Sequence, residues 1–321
     1  MNLLLTGASG FLGRNLLRHA PAGWQILALY RHSAAFPEFV STLNNPNITA
    51  VQCDLDSPED VAGLFRKFGN DWESCLYLAA KVDIPWSVRD PRQDLLLNTG
   101  ALLNLLEVLR AKRFVYLSSG AVYDGLSGEI HPHSSFSPTL PYAISKLACE
   151  RYVEFYGVRR GSLEKFLIVR FFGAYGPYEA PHKIHTRLVR TFAIQGKSSY
   201  TMYGNGRNLI DAMYVEDAVT AIQKILTGDH WNDMVNLAGG QPVTVEALIQ
   251  DVGRVLGIPH VTIEREGVAH ESNQFWGSTR EMRDCFGFEP KISLPEGLSR
   301  FRAFLTAADQ PFTIDHQESR G

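Results

Sequence analysis

Residues 6–13 read TGASGFLG and follow directly on the apolar run NLLLT. Here a strand pattern gives way to a helix pattern, and a glycine recurs at every third position. The backbone amides of such a turn and the start of the helix can hold a pyrophosphate. An ordinary tight turn also explains glycines, and the spacing is GxxGxxG rather than GxGxxG. The position favours a dinucleotide site formed by Gly7, Gly10, Phe11, Leu12 and Gly13.

Apolar runs alternate with helical patterns along the first half of the chain. Each run has the length and composition of a buried parallel strand. The runs are NLLLT, WQILALY, NITAVQC, SCLYLAA, RFVYLSS and EKFLIVRFF. This alternation predicts an α/β fold of the Rossmann type, with a doubly wound parallel sheet.

The texture changes after residue 172, where Gly, Pro and aromatic residues dominate (GAYGPYEAPH). A helix near 183–196, a strand-like MVNLA near 234–238, a helix in TVEALIQDVGRVLG, a strand in VTIER and two terminal helices follow. We expect a dinucleotide-binding domain at 1–171, with a later return near 209–238. Residues 172–208 and 239–308 are expected to form a smaller C-terminal α/β substrate lobe, with a loose end beyond about residue 308.

The composition excludes several classes of protein. The 321 residues are 45% hydrophobic and carry a net charge of −3, which is typical of a globular protein without a nucleic-acid partner. No run approaches the ~18 apolar residues of a membrane span, and MNLLLTGASGFLG lacks the features of a signal peptide. We therefore expect a cytoplasmic protein with no membrane partner. The four cysteines are far apart and form no CxxC, so neither a metal site nor a disulfide framework is indicated.

Two positions bear on the adenosine end of a dinucleotide. Arg31 stands after the second strand, where NAD-binding proteins carry an acidic residue and an arginine accommodates the 2′-phosphate of NADP. This favours NADP, although a solvated loop arginine is the alternative. Asp54, followed by Leu55, comes after the third strand, where a carboxylate can accept the adenine amino group; a turn or cap role is the alternative.

Tyr142 and Lys146 stand four residues apart in LPYAISKLACERY, so they share one face of a helix. An adjacent ammonium and an oxidised nicotinamide both favour the phenolate, which makes a tyrosine usable as an acid or base. A YxxxK alone is common on helix surfaces. Here Ser118 and Ser119 end the fifth strand, at the sheet edge where ligands of open α/β sheets bind.

Taken together, TGASGFLG, LYLAA, Asn98 in LLLNTGALLNLLEVL, RFVYLSS, PYAISK and RFFGAYGP resemble the extended short-chain dehydrogenase/reductase family, in its nucleotide-sugar epimerase, dehydratase and reductase branch. The resemblance covers roughly residues 1–305. It implies that Tyr142 is the catalytic tyrosine, that Lys146 binds the nicotinamide ribose and lowers the tyrosine pKa, and that Ser119 hydrogen-bonds the reacting oxygen.

The resemblance implies further cofactor contacts. They are the segment Ala79–Ala80, the site-organising Asn98, Ser118 at the strand end, and Phe171 beside the nicotinamide. Ordinary packing at the same places is the alternative. The family commonly forms homodimers through helices near 93–110 and 142–157. The leucine-rich helical pattern at about 91–111 fits such a dimer, and core packing explains it equally well.

The chain departs from the family where dehydratases carry Asp and Glu after the catalytic threonine, because Gly120 and Ala121 follow Ser119. Dehydration is therefore not expected. Members that invert carbons beside the keto group have a cysteine at the position of Ala121, usually with a downstream histidine. His182 lies in that downstream region, but a histidine in a loop is the simpler interpretation.

The part of the sequence expected to bind substrate also departs from the family pattern. Gly173 replaces a family asparagine, Ile210 replaces an arginine that grips a diphosphate, and a second arginine expected near His270 is absent. Arg207, Lys183 or Arg187 are candidates to compensate, although each could be a solvated charge. The predicted substrate contacts are Lys81, Gly173, Lys183 and Arg207.

Three functions follow from these patterns. The first is an NADP-dependent reductase of a keto sugar, nucleotide-linked or not, or of a similar small carbonyl compound. The second is an NAD-dependent nucleotide-sugar epimerase. The third is a non-catalytic redox sensor that binds a dinucleotide, against which the set of Ser119, Tyr142 and Lys146 argues.

Overall fold

The computed structural model describes residues 1–267 and 274–307. Within them the strands are β1 (Asn2–Thr6), β2 (Gln25–Tyr30), β3 (Ile48–Gln52), β4 (Asp71–Tyr77), β5 (Arg110–Ser119), β6 (Ser127–Ile130), β7 (Phe166–Phe171), β8 (Ala174–Tyr175), β9 (Ser199–Tyr203), β10 (Leu209–Ile210), β11 (Met213–Tyr214), β12 (Asp233–Leu237), β13 (Val243–Thr244), β14 (Thr262–Glu266) and β15 (Gln274–Gly277).

The α-helices are α1 (Phe11–Arg18), α2 (Phe36–Thr42), α3 (Pro58–Phe68), α4 (Ile84–Arg89), α5 (Pro91–Leu95), α6 (Ala101–Leu106), α7 (Pro141–Phe155), α8 (Ile184–Val189), α9 (Val215–Thr227), α10 (Val245–Val255), α11 (Arg280–Phe286) and α12 (Leu294–Ala307). A π-helical turn joins α5 to α6, and others extend α7 and α8. A short 3₁₀ turn, Gly120–Tyr123, follows β5. No helix in these residues is both long enough and apolar enough to span a membrane.

Seven parallel strands form the central sheet of the described residues, in the order β3-β2-β1-β4-β5-β7-β12. From β1 the chain builds the sheet outward on one side through β2 and β3, and then returns to build the other side from β4. The switch point therefore lies between β1 and β4, and ligands of open α/β sheets bind at such a point. The predicted Rossmann-type doubly wound sheet is confirmed.

The strand predicted near 234–238 corresponds to β12 (Asp233–Leu237), which pairs in parallel with β7 at the edge of the central sheet. The helix α11 packs near it, and its Met282 and Phe286 belong to the core on one face of that sheet. The division into residues 1–171 with a return near 209–238, and a lobe of 172–208 and 239–308, stays a prediction. The chain beyond 307 lies outside the described residues.

Two helices end earlier than the sequence suggests. The helix predicted for about 91–111 ends at Leu106, and β5 begins at Arg110. The apolar pattern continues across this boundary because Leu109 is buried like the helix leucines before it. The helix predicted near 183–196 is α8 with its π-helical turn, which ends at Ile194.

Hydrophobic clusters cover both faces of the sheet. One cluster joins β1 and β2 to α1, α2 and α9, and the other joins β4 and β5 to α3, α6 and α7. A third, built largely from α8, α10, α12 and β9, forms a separate apolar core beside the sheet. The glycine turn after β1 thus rests on a rigid sheet packed on both faces.

A buried ion pair joins α7, the helix that carries Tyr142 and Lys146, to the central sheet. Arg170 in β7 donates to both carboxylate oxygens of Glu150 in α7, at 3.0 and 2.6 Å, and both side chains are fully buried. The Ser118 hydroxyl donates to the same carboxylate at 2.5 Å. One carboxylate therefore holds α7, β5 and β7 together.

The other end of the Arg170 guanidinium extends this network. It donates to the Tyr123 hydroxyl at 2.8 Å and to the Pro132 carbonyl at 2.6 Å. Tyr123 in turn donates to the Asn236 side chain in β12, at 2.9 Å. The polar side chains of this network thus have hydrogen-bond partners. These hydrogen bonds compensate the Arg170–Glu150 pair for the hydration that it loses on burial.

Replacing Arg170 by Met leaves the Glu150 carboxylate buried without its counter-charge. We expect a loss of about 3–5 kcal/mol in the free energy of unfolding, measured by chemical denaturation. The double variant Arg170→Met/Glu150→Leu should regain a large part of it. Arg254→Met, which removes an exposed pair with Asp251, is the control. A loss for Arg170→Met no larger than that of the control would contradict the assigned importance of the pair.

Candidate functional site

The glycine turn at residues 7–13 brings backbone from β1, α1 and the end of β4 together. Gly7 has a φ of +65°, and a Cβ there would stand 2.8 Å from the Ala79 nitrogen. The Thr6 hydroxyl accepts hydrogen bonds from the amides of Leu78 and Ala79, both at 3.1 Å. The segment Ala79–Ala80 therefore lies against the turn, and its contact with a cofactor stays a prediction.

The start of α1 packs closely on the backbone of the same turn. A Cβ at Gly13 would stand 2.5 Å from the Gly7 carbonyl oxygen, so only glycine fits there. Gly10 lies at the N-terminus of α1, whose next residues are Phe11 and the buried Leu12. A bare backbone cradle before a helix N-terminus suits the pyrophosphate of a dinucleotide.

Arg31 follows β2 at the same edge of the sheet, and its carbonyl accepts a hydrogen bond from the Gln52 side chain. A second cation stands nearby. The Arg14 guanidinium donates to the Ser9 carbonyl at 2.8 Å and to the Ser33 hydroxyl at 3.4 Å, and it packs against the rings of Phe36, Phe39 and Tyr178. Sequence reasoning missed Arg14, although it directly follows the last glycine of the motif.

Asp54 acts as a turn residue in this structure. Its carboxylate accepts from the Asp56 amide at 3.1 Å, and Leu55 beside it is buried. This is the alternative role that the sequence left open, and the adenine contact stays a prediction.

Tyr142 and Lys146 lie on the first turns of α7, which begins with Pro141. Both side chains are buried, and they face the end of β5. The Ser119 oxygen accepts from the Ala121 amide at 3.1 Å, and the Ser119 side chain lies close to the Tyr142 phenol. The structure thus brings Ser119 and Tyr142 together, and their predicted shared contact with a substrate oxygen stays a prediction.

The chain by itself favours the neutral phenol. Burial raises the pKa of Tyr142 to about 12, opposed by the Ser119 hydrogen bond and assisted by the Asp94 carboxylate. The sequence suggests that the Lys146 charge favours the phenolate, but burial is the largest influence on the Tyr142 pKa and raises it. At neutral pH, the Tyr142 phenol therefore keeps its proton.

Lys146 is held by β5 and not by an adjacent carboxylate. Its ammonium donates to the Leu117 carbonyl at 2.7 Å and lies 4.3 Å from the centre of the Tyr116 ring. Burial lowers the pKa of Lys146 to about 8, although the thiol of Cys149 and the carboxylates of Glu150 and Asp94 raise it. The ammonium thus loses its charge in mildly alkaline solution.

Asn98 clamps the turn after β4. Its side-chain oxygen accepts from the Lys81 amide at 2.9 Å, and its amide group donates to the Lys81 carbonyl at 3.3 Å. The Lys81 ammonium lies over the Trp86 ring. Asn98 therefore acts on the site through the backbone of Lys81, which agrees with a site-organising role.

Ser118 and Phe171 lie at the strand ends beside Ser119, and the register pairs Ser119 with Phe171. The Ser118 hydroxyl donates to the Glu150 carboxylate, so it helps to hold α7 against the end of β5. Packing explains the glycine at position 120, because a Cβ there would stand 3.1 Å from the Phe172 ring.

The predicted substrate residues are spread along the smaller core. Gly173 has a φ of +149° and its carbonyl accepts from the Met213 amide. Ile210 pairs with β13 and packs against the third hydrophobic cluster. Lys183, at the start of α8, and Arg207 have exposed side chains, whereas Arg187 packs over the Tyr200 ring. His182 is also exposed, and His270 lies outside the described residues.

Two supporting residues escaped the sequence reasoning. The Ser87 hydroxyl accepts from the Tyr142 amide at 3.2 Å and so caps the start of α7. Asp94 is a fully buried carboxylate next to Asn98 and Ser145. The only sequence signal was a charged residue inside a leucine-rich helical pattern. No group of three or more His, Cys, Asp or Glu side chains suited to a metal ion occurs within residues 1–267 and 274–307.

Comparison with known proteins gives consistent results. Residues 3–238 match the family described as the NAD dependent epimerase/dehydratase family. GDP-6-deoxy-D-mannose reductase of Pseudomonas aeruginosa is 25% identical over 320 residues, which cover 95% of this chain and 96% of the reductase.

Two solved structures show the same fold. UDP-glucose 4-epimerase from Thermotoga maritima, solved with UDP-glucose, has a TM-score of 0.84 at 24% identity and covers 97% of this chain and 100% of its own. RMD from Pseudomonas aeruginosa, solved with NADPH, has a TM-score of 0.80 at 24% identity over 96% and 99%.

The family match spans well over half of the chain and includes the glycine turn, Ser119, Tyr142 and Lys146. The chain belongs to the NAD-dependent epimerase/dehydratase family and is an NAD(P)-dependent enzyme of the extended short-chain dehydrogenase/reductase type.

Proposed function

We propose that the protein is an NADP-dependent reductase that converts a keto sugar, most simply one linked to a nucleotide, into the corresponding alcohol. The observation that carries this proposal is the buried Tyr142 phenol, which lies beside Ser119 and shares a helix face with the buried Lys146. Reduction of a carbonyl needs a proton donor at its oxygen, and a phenol with a raised pKa keeps its proton at neutral pH.

Each residue of the group has a defined task in this reaction. A reduced nicotinamide cofactor, whose pyrophosphate the glycine turn at residues 7–13 would hold, would supply a hydride to the carbonyl carbon. Tyr142 gives its proton to the carbonyl oxygen while Ser119 holds that oxygen by a hydrogen bond. The Lys146 ammonium stabilises the phenolate left on Tyr142 until a proton from solvent restores it. The products are the alcohol and the oxidised cofactor.

The preference for NADP rests on the charges at the adenosine end. Arg31 stands at the end of β2 in place of an acidic residue, and Arg14 reaches Ser33 in the same loop. Two guanidinium groups and a hydroxyl favour a 2′-phosphate over a free ribose hydroxyl. Support also comes from the NADPH bound to RMD of Pseudomonas aeruginosa.

A nucleotide-linked sugar is proposed from the relatives, whose names include a GDP-sugar reductase. In this chain the diphosphate would need cations other than the arginine that Ile210 replaces. Exposed Lys183 and Arg207 are the proposed contacts, with Lys81 and Gly173 nearer the reacting sugar.

An epimerase that uses NAD is the second candidate. The family includes epimerases, and the same Tyr142, Lys146 and Ser119 can remove a proton from a hydroxyl as well as deliver one. A redox sensor without catalysis has no use for this set of side chains and is the weakest reading.

We also propose a homodimer formed through α5, α7 and the turns that continue them. Six large apolar side chains there are each 40–68% exposed: Leu95, Leu96, Ile144, Tyr152, Phe155 and Val158. Ile144, Tyr152 and Phe155 lie on one face of α7. Such a contiguous apolar face suits a second copy of the chain. The cytoplasmic location stays a prediction from sequence.

Replacing Tyr142 by Phe removes the proton donor and leaves the ring in place. We expect turnover of any keto sugar used by the unaltered enzyme to fall at least ~10²-fold, while NADPH binding measured by fluorescence titration is retained. Tyr152→Phe, on the exposed part of α7, is the matched control. Near-normal turnover in Tyr142→Phe would remove the catalytic assignment.

Replacing Arg31 by Asp should weaken the binding of NADPH far more than the binding of NADH. The new carboxylate repels a 2′-phosphate, whereas it can accept a hydrogen bond from a ribose hydroxyl. Dissociation constants for both cofactors, measured by calorimetry, give the ratio. A fall of at least ~10-fold in the preference for NADPH is expected. An unchanged ratio would refute the phosphate contact.

Charging the apolar face of α7 tests the dimer. The double variant Ile144→Lys/Tyr152→Lys should sediment as a monomer at concentrations where the unaltered protein sediments as a dimer. Val255→Lys, another partly exposed apolar position, serves as the control. A monomeric unaltered protein would contradict the proposed homodimer.

A further inference from the structure

The hydroxyl of Ser87 joins two helices at the candidate site. Ser87 lies in α4, which packs against α7, and its side chain is fully buried. The hydroxyl accepts a hydrogen bond from the Tyr142 amide at 3.2 Å and donates one to the Ile84 carbonyl at 2.7 Å. Because the bond to Ile84 uses the hydroxyl proton, a lone pair of the oxygen faces the Tyr142 amide. Ser87 therefore caps α7 from a different helix.

The start of α7 needs such a partner. The first N–H groups of a helix have no acceptor within the helix, and Pro141 has no N–H at all. Leu140, which precedes the helix, supplies no side-chain cap in the part of the chain that the structure describes. Tyr142 is itself buried, so its amide would be costly to leave without a partner. The Ser87 hydroxyl meets this requirement.

The position of Ser87 is fixed from the turn after β4. The Asp83 side chain accepts from the Trp86 amide at 2.9 Å, and the Asp83 carbonyl accepts from the Ser87 amide at 2.9 Å. Lys81, two residues before Asp83, is held through both of its backbone groups by Asn98. The helix α4 therefore starts at a well-defined point, and Ser87 follows one turn later.

The same turn lies against the glycine turn at residues 7–13. It begins with Leu78 and Ala79, whose amides donate to the Thr6 hydroxyl at 3.1 Å. A series of backbone and side-chain contacts thus leads from the proposed cofactor site, through α4, to the amide of Tyr142. The buried ion pair anchors α7 further along the helix, whereas Ser87 holds its first turn.

We propose that Ser87 is a positioning residue for the reaction, which keeps the Tyr142 phenol at a fixed distance from the cofactor. This inference rests on the proposed role of Tyr142 as proton donor. In the reduction of a carbonyl, the hydride reaches the carbon while the proton reaches the oxygen of the same group. The donor and the cofactor must therefore stay aligned, and a displacement of about 1 Å can lower the rate ~10²-fold.

Replacing Ser87 by Ala in the full chain removes the hydroxyl and leaves α4 otherwise unaltered. We expect kcat for a keto sugar, counted per NADPH-binding site, to fall at least ~10-fold. KM and the dissociation constant of NADPH should stay near those of the unaltered protein. Counting per binding site matters because unfolded protein binds no NADPH, so a loss of folded protein does not lower this kcat.

The control is Ser293→Ala, which removes a hydroxyl that accepts from the Glu296 amide at the start of α12. A serine that only stabilised the fold would reduce the number of binding sites and leave kcat per site unchanged. A kcat per site in Ser87→Ala equal to that of the control therefore overturns the proposal. Ser87→Cys keeps a similar volume but is a weak acceptor, so it should show the same loss. If Ser87→Ala does not fold, Ser87→Cys decides by the same criterion.

The contact is also tested without a substrate. Hydrogen exchange of the Tyr142 amide, followed by NMR, should be faster in Ser87→Ala than in the unaltered protein, and unchanged exchange overturns the proposal. If the unaltered protein interconverts epimers and reduces no keto sugar, the proposed reductase function is wrong. The same comparison of kcat, made on the epimerisation, would then decide the role of Ser87, because that reaction also uses Tyr142.

Discussion

The ion pair between Arg170 and Glu150 determines where the reacting groups lie. It is fully buried and joins α7 to β7, and the same carboxylate accepts from Ser118 at the end of β5. Tyr142 and Lys146 precede Glu150 by two turns and one turn of the same helix. The position of α7 on the sheet therefore depends on this ion pair, and so does the placement of Tyr142 beside Ser119. Loss of either partner would leave an uncompensated buried charge and destabilise the packing of α7.

Burial then sets the chemistry of the site. It raises the pKa of the Tyr142 phenol and lowers that of the Lys146 ammonium, so each group is driven toward its neutral form. Carboxylates at Asp94 and Glu150 oppose the loss of charge on Lys146. The result is a proton donor next to a cation that can stabilise the donor after its proton has left. This balance suits reduction of a carbonyl and, with oxidised cofactor bound, the reverse step that an epimerase needs.

Much of the fold was predictable from sequence because its signals are local. The glycine turn at residues 7–13, the apolar strands and the spacing of Tyr142 and Lys146 each lie within a few neighbouring residues. The end of the helix at Leu106 could not be predicted from sequence, because the buried Leu109 continues the apolar pattern of the helix up to the start of β5. The contacts of Ser118 with Glu150, Ser87 with the Tyr142 amide and Arg14 with Ser33 join residues 19 to 55 positions apart. Neither these contacts nor the burial that reverses the expected pKa of Tyr142 is visible in a single stretch of sequence.

The central claim, a reductase rather than an epimerase, is tested most directly by following the transferred hydrogen. NADPH carrying deuterium at the transferred position would be incubated with the enzyme and a panel of nucleotide-linked keto sugars, and the products analysed by mass spectrometry and NMR. A reductase is expected to place one deuterium on the new carbinol carbon for each NADPH consumed. Interconversion of epimeric nucleotide sugars without NADPH consumption, and without deuterium in the product, would contradict it.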